Sequence, residues 1–201
     1  MKIAIIGLGY VGLPLALEFA KKYQVVGFDI NKQRIVQLKN GIDKTNETTS
    51  VEIQKSLKNS SSEIGLILTS DIDFIKDSQI YIVTVPTPIT IAKTPDLGPL
   101  KSASKMIGKF LSIDDLVIYE STVYPGCTEE VCVPILESTS GLVFNKDFFC
   151  GYSPERINPG DKINTLTKIK KVTSGSNAGT AKKVDVLYKS IITAGTHLAS
   201  S

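Results

Sequence analysis

Three groups of residues in this chain have types and spacings that could do chemistry. The first is Glu155–Arg156 within "GYSPERINPGDK" (151–162), where two prolines and two glycines exclude a helix or a central strand. A carboxylate beside a guanidinium on a loop can work as a base with an anion partner, or it can be a surface ion pair of little energetic weight. The second is Gly7-Leu8-Gly9-Tyr10-Val11-Gly12, a GxGxxG. In a nucleotide-binding turn the first glycine lets the chain leave a strand sharply. The second lets backbone approach a pyrophosphate, and the third brings helix and strand together. The third group is Asp29, which closes "YQVVGFD". An acid about 20 residues beyond such a turn accepts from ribose hydroxyls and repels a 2′-phosphate, which favours NAD over NADP. Lys32 and Arg34 follow closely and blunt that preference a little.

The elements around these residues must put them in one place. "KIAII" reads as a buried strand and "VGLPLALEFAKK" as a helix, with Val11, Leu15, Ala16 and Phe19 at helical spacing and Pro14 in the first turn. The whole N-terminal run is apolar enough to suggest a signal peptide or a membrane span. Its three glycines, Glu18 and the lack of a cleavage site exclude both. "NKQRIVQLKNG" reads as a helix stopped at Gly41, with Ile35 and Leu38 inward. Residues 46–62 form a polar excursion with one modest helix. "IGLILTS", "QIYIVTVP", "DLVIYEST" and "DFFCGYS" are further strands, with a turn of helix around "DIDFI" and a helix over 98–111. "CTEEVCVPILEST" is a helix that Pro134 kinks or divides.

Apolar strands alternating with amphipathic segments predict an α/β fold. It is a Rossmann-like, doubly wound, mostly parallel sheet with helices on both faces. Ligands bind such sheets beyond the carboxyl ends of the strands. That rule brings the stretches 85–88 ("VPTP"), 120–126 ("ESTVYPG") and 151–156 ("GYSPER") to one rim. No repeat or boundary divides the chain, so residues 1–201 are expected to form one dinucleotide-binding domain.

Composition narrows the partners. The chain has 201 residues, 42% hydrophobic and 21% charged, which is ordinary for a globular domain and leaves room for a full core. A net charge of +3 with no basic block argues against nucleic acid. Cys127, Cys132 and Cys150 have no metal-ligand spacing and suit reduced thiols in the cytoplasm. His197 is the single histidine, so metal sites and His-based triads are not expected.

Taken together, "IGLGYVGLPLA", "GFDI", "VTVPTP", "ESTVYPG" and "GYSPERINPG" resemble the N-terminal half of the nucleotide-sugar dehydrogenases, the UDP-glucose and GDP-mannose dehydrogenase family. The wording "SPERINPG" is similar to the branch acting on UDP-N-acetylhexosamines. The resemblance implies a soluble enzyme that oxidises a sugar C6 alcohol to a carboxylate with two NAD, for surface polysaccharide precursors. It implies NAD contacts from Tyr10, Val11, Asp29, Arg34, Thr87 and Thr122, with Thr122 also placed to hold a water. It implies a catalytic role for Glu155 in hydrolysing a covalent intermediate, and substrate contacts from Arg156 and Ile157. The family's nucleophilic cysteine, lysine and asparagine would lie beyond Ser201, and "IITAGTHLASS" would be entering a long helix that joins two halves and mediates homodimerisation. This chain alone is then expected to bind NAD without turning over a UDP-sugar. A single-step dehydrogenase of the 6-phosphogluconate or hydroxyacyl type, and a short NAD-binding or regulatory module, are the alternatives.

Overall fold

A computed structural model describes residues 1–58, 63–161, 163 and 165–200. Residues 59–62 of the polar excursion, Lys162 of the 151–162 loop, Asn164 and Ser201 lie outside the described residues. The chain runs β1 (Lys2–Ile6), α1 (Gly12–Ala20), β2 (Gln24–Phe28), α2 (Lys32–Lys39), α3 (Ser50–Ser56), β3 (Gly65–Thr69), β4 (Ile80–Val83), α4 (Gly98–Gly108), β5 (Leu116–Tyr119), α5 (Val133–Ser140), β6 (Phe149–Tyr152), β7 (Lys171–Gly175), α6 (Ala178–Lys189) and β8 (Thr196–Leu198). Among the described residues no helix is long and apolar enough to cross a membrane.

The strands form one sheet in the order β3-β2-β1-β4-β5-β6-β7-β8. Every pairing from β3 to β6 is parallel, β7 runs antiparallel to β6, and β8 is parallel to β7. Period-two alternation splits the strand residues between two cores. Ile3, Ile5, Ile82 and Ile118 face α1, α2 and α6, while Ala4, Ile6, Val83 and Tyr119 face α4 and α5. The doubly wound sheet expected from the sequence is therefore present.

Two expectations are corrected. The sequence shows six strands, and the structure adds β7 and β8 with α6 between them. Residues 191–200 of "IITAGTHLASS" form no helix. Gly195 turns at φ 80°, and Thr196–Leu198 then pair with Lys171–Thr173. Pro134 divides its segment as expected. A π-helical turn over Thr128–Cys132 gives way to α5, where the proline sits in the first turn and needs no N–H partner.

The starting ends of the strands hold a buried acid that weakens the fold at neutral pH. Asp115 accepts from the Ser112 N–H at 2.8 Å, and burial raises its carboxyl to about 6. A carboxyl raised in the folded state favours folding while protonated, so that contribution is lost as pH rises from the ordinary aspartate range through about 6. Asp115→Asn keeps an acceptor for Ser112. It should stabilise the protein by about 1–2 kcal/mol above pH 7 and flatten this part of the pH profile, as read by thermal melts from pH 4 to 8. Melts no more stable than those of the unaltered protein at pH 7.5 would refute it.

Candidate active site

The turn after β1 is built by contact at one glycine and by openness at another. Gly7 adopts φ 98°, and its carbonyl accepts from the Thr84 hydroxyl at 2.7 Å. A Cβ on Gly12 would lie 1.9 Å from that carbonyl oxygen and 2.4 Å from the Thr84 hydroxyl, so only glycine lets α1 start this close to β1 and β4. A Cβ on Gly9 would meet nothing within 4 Å. Gly9 stands just before α1, whose start no side chain caps. Uncapped amides at a helix N-terminus are suited to a pyrophosphate. Tyr10 is exposed beside them, while Val11 is buried.

Asp29 follows β2 and is fixed by two backbone donors. Leu8 N–H reaches Oδ2 at 2.9 Å, and Asn31 N–H reaches Oδ1 at 2.8 Å. Each oxygen keeps a lone pair for a ribose hydroxyl. Arg34, on the first turn of α2, donates from Nε to the Leu8 carbonyl at 2.9 Å and from Nη2 to Asp43 at 2.8 Å. Its Nη1 is buried without a hydrogen-bond partner. The orphaned nitrogen, the open space at Gly9 and the uncapped helix end all fit a dinucleotide.

The other rim segments are stapled together. The Thr87 hydroxyl donates to the Thr122 carbonyl at 2.8 Å, and Ser121 donates to the Val85 carbonyl at 2.6 Å. The exits of β4 and β5 are thereby joined, with Thr87 half-buried and Thr122 exposed.

Beyond β6 the structure replaces the surface ion-pair option with a buried cluster. Glu155 Oε1 accepts from the N–H groups of Arg156 and Ile157 at 2.6 and 2.7 Å. Its Oε2 takes Lys171 Nζ at 3.0 Å. Arg156 turns its guanidinium to the Lys170 carbonyl instead, at 3.2 Å, and remains exposed, while Ile157 is half-buried against the core. Lys171 also contacts Glu120 Oε2 at 2.5 Å, and Glu120 Oε1 accepts from the Tyr188 hydroxyl. Side-chain exposure is 0% for Glu120 and 3% for Lys171, which are shielded from water, and 7% for Glu155, the most accessible of the three. Burial works against the Lys171 ammonium, but the two carboxylates more than reverse it and hold its titration above the usual lysine range. Burial also pushes the Glu120 carboxyl up against the pull of Lys171.

Sequence reasoning missed Glu120, Lys171 and Tyr188. The available signal was a lysine opening an alternating apolar segment, "KVTSG", in which an outward lysine is the ordinary expectation.

The cysteines are not candidates for a nucleophile here. All three are buried free thiols. Burial raises Cys127, takes Cys132 up to about 11 and lifts Cys150 well above the ordinary range, so thiolates are suppressed. Among the described residues no His/Cys/Asp/Glu cluster could hold a metal. The cleft of about 670 Å³ between α1 and α3 adjoins Gly65 at the starting end of β3, away from the strand-end rim, and is not the cofactor seat.

With the cradle and rim in place, the comparisons are specific. Residues 1–192 match the model for the NAD binding domain of the UDP-glucose/GDP-mannose dehydrogenase family. The chain belongs to that family. Its cofactor is NAD, which supplies hydride acceptance when bound. The chain is 59% identical over 201 residues to the UDP-N-acetyl-D-glucosamine 6-dehydrogenase of Salmonella typhi, and 58% identical over the same length to the enzyme of that name from Pseudomonas aeruginosa. Those alignments cover 100% of this chain and 46% of each relative, so the chain spans about half their length. The structure of the UDP-D-ManNAc dehydrogenase from Pyrococcus horikoshii superposes with a TM-score of 0.90 at 32% identity, covering 100% of this chain and 47% of that one.

Proposed function

We propose that the protein carrying this domain oxidises the C6 alcohol of a UDP-N-acetylhexosamine to the carboxylate with two NAD, in the cytoplasm, for surface polysaccharide precursors. The relatives named as UDP-N-acetyl-D-glucosamine 6-dehydrogenases support the substrate class. The observation that carries the reading is the state of Glu155. Two backbone amides occupy Oε1 and Lys171 occupies one site on Oε2, which leaves one lone pair at a strand-end rim shared with the cradle.

In this reading the α1 amides take the pyrophosphate and Asp29 the adenosine ribose. Tyr10, Val11, Arg34, Thr87 and Thr122 line the cofactor. Glu155 Oε2 accepts a proton from a water that Thr122 helps hold, the step that hydrolyses a covalent acyl intermediate. Arg156 and Ile157 contact the sugar nucleotide. The nucleophile, and homodimer contacts, belong to residues outside this chain.

Product stoichiometry tests the proposal. The protein at its native length, given UDP-N-acetylglucosamine and excess NAD, should form two NADH per sugar consumed, whereas the 201-residue chain should bind NAD and form none. One NADH per sugar, or NAD binding with no oxidation of any UDP-N-acetylhexosamine, would overturn it. In the native-length protein Glu155→Gln should lower kcat by roughly 10²–10⁴-fold and leave the NAD Kd unchanged.

A further inference from the structure

Arg34 raises a problem that the NAD assignment does not solve. A guanidinium this close to the ribose-binding acid is the group an NADP-dependent fold would use to hold a 2′-phosphate. From the sequence it should weaken the preference for NAD.

The structure shows what restrains it. Asp43, in the loop between α2 and α3, has a side chain 1% exposed and an ion pair with Arg34 Nη2 at 2.8 Å. The same carboxylate accepts from the Thr45 hydroxyl at 2.7 Å and from the N–H groups of Thr45, Glu47 and Thr48 at 3.0, 2.9 and 3.1 Å. A carboxylate has about four good acceptor sites, so this one is saturated. Burial opposes its charge, but the Thr45 donors and then Arg34 more than compensate and hold the carboxyl below the usual aspartate range. The residues just before α3 therefore wrap around one buried anion.

That anion points at the cofactor through a short chain of contacts. Asp43 holds Arg34 Nη2, Arg34 Nε holds the Leu8 carbonyl, and the Leu8 N–H holds Asp29. Asp29, Arg34 and Asp43 together carry one net negative charge at the ribose edge. The guanidinium is also tethered at two nitrogens, Nε and Nη2, which fixes its direction.

We propose that Asp43 is a specificity-determining residue for the cofactor: by tethering Arg34 and offsetting its charge, it withholds the cation that a 2′-phosphate needs and keeps the domain selective for NAD over NADP. It is a positioning residue, because it acts through Arg34. The proposal rests on the NAD assignment and adds the reason that a nearby arginine does not undermine it.

Calorimetric titration of the 201-residue chain with NAD and NADP tests this without any turnover. The unaltered chain should bind NAD much more tightly than NADP. Asp43→Asn keeps the size and an acceptor but removes the charge, and should reduce the ratio of NADP to NAD dissociation constants about tenfold. Adding Arg34→Gln to Asp43→Asn should restore the ratio, since the freed cation is then gone. A ratio unchanged in Asp43→Asn, or a change that persists in the double variant, would overturn the proposal. If Asp43→Asn fails to melt cooperatively, Thr45→Val carries the test. It removes one donor from the clamp, should move the ratio in the same direction by a smaller factor, and refutes the proposal if the ratio stays put. An unaltered chain that binds neither nucleotide would instead overturn the cofactor assignment and the proposal with it.

Discussion

Gly12→Ala should cost the protein both its fold margin and its cofactor. The added Cβ would stand 1.9 Å from the Gly7 carbonyl oxygen and 2.4 Å from the Thr84 hydroxyl, where neither atom can yield without breaking the turn after β1. The first contact is with backbone, so α1 has to withdraw. Overpacking of this kind costs about 3 kcal/mol, and the displaced helix end should weaken NAD binding by about a hundredfold, or ~2.7 kcal/mol. Gly9→Ala is the control. Its Cβ meets no protein atom within 4 Å, so melting should be unchanged while the methyl group fills the space the pyrophosphate approaches. Thermal melts and NAD titrations on both variants separate the two roles. If Gly12→Ala melts and binds as the unaltered chain does, the close approach of helix to strand is not what the cradle needs.

Lys171→Met should have the second large effect, on stability. It leaves Glu120 with 0% side-chain exposure and, among the described residues, the Tyr188 hydroxyl as partner, and Glu155 with its two backbone amides. Removing one member of a buried ion cluster costs about 3–5 kcal/mol because a buried charge loses its compensation. The sign of the pH effect follows from the pKa directions. In the unaltered protein the raised lysine contributes stability that is complete below the ordinary lysine range and lost only as pH rises through its higher folded value. In the variant that contribution is gone, and burial raises Glu120 with the pull of Lys171 removed and the Tyr188 hydroxyl still opposing it. Folding is then favoured when this carboxyl is protonated and weakens as pH climbs from the ordinary glutamate range upward. Lys171→Met should therefore melt higher at pH 5 than at pH 8, and adding Glu120→Gln should recover most of the loss. A variant that melts like the unaltered protein at pH 8 would mean the cluster is solvated and contributes little.

These two experiments address features of very different legibility. The Gly12 contact with the Gly7 carbonyl is local: a strand, a turn and a helix in one short stretch imposed it, and only the Thr84 hydroxyl is brought from beyond β4. The Lys171 cluster is not local. Lys171 and Glu120 are 51 residues apart, and Glu120 and Tyr188 are 68 apart. In sequence Glu120 passes as a turn residue after a strand and Tyr188 as a core aromatic on a helix. Asp43 was equally silent, because an aspartate in a polar loop is expected to face water. The final strands were missed for a related reason. β7 opens on a lysine and is partly polar, and β8, three residues long, exists only because β7 offers it a partner.

The sequence by itself determined the α/β class, where the first six strands lie along the chain, the glycine turn after β1 and the acid after β2. Each depends on periodicity or on steric demands within a few residues, and those act in any context. Only the tertiary structure decided that Glu155 is anchored by a buried lysine rather than paired with Arg156, that Arg34 is tethered and offset by Asp43, and that β7 runs antiparallel to β6. Each of those outcomes depends on which distant charges share a low-dielectric space. That is settled when the sheet assembles, because burying one charge makes the partner across the fold obligatory.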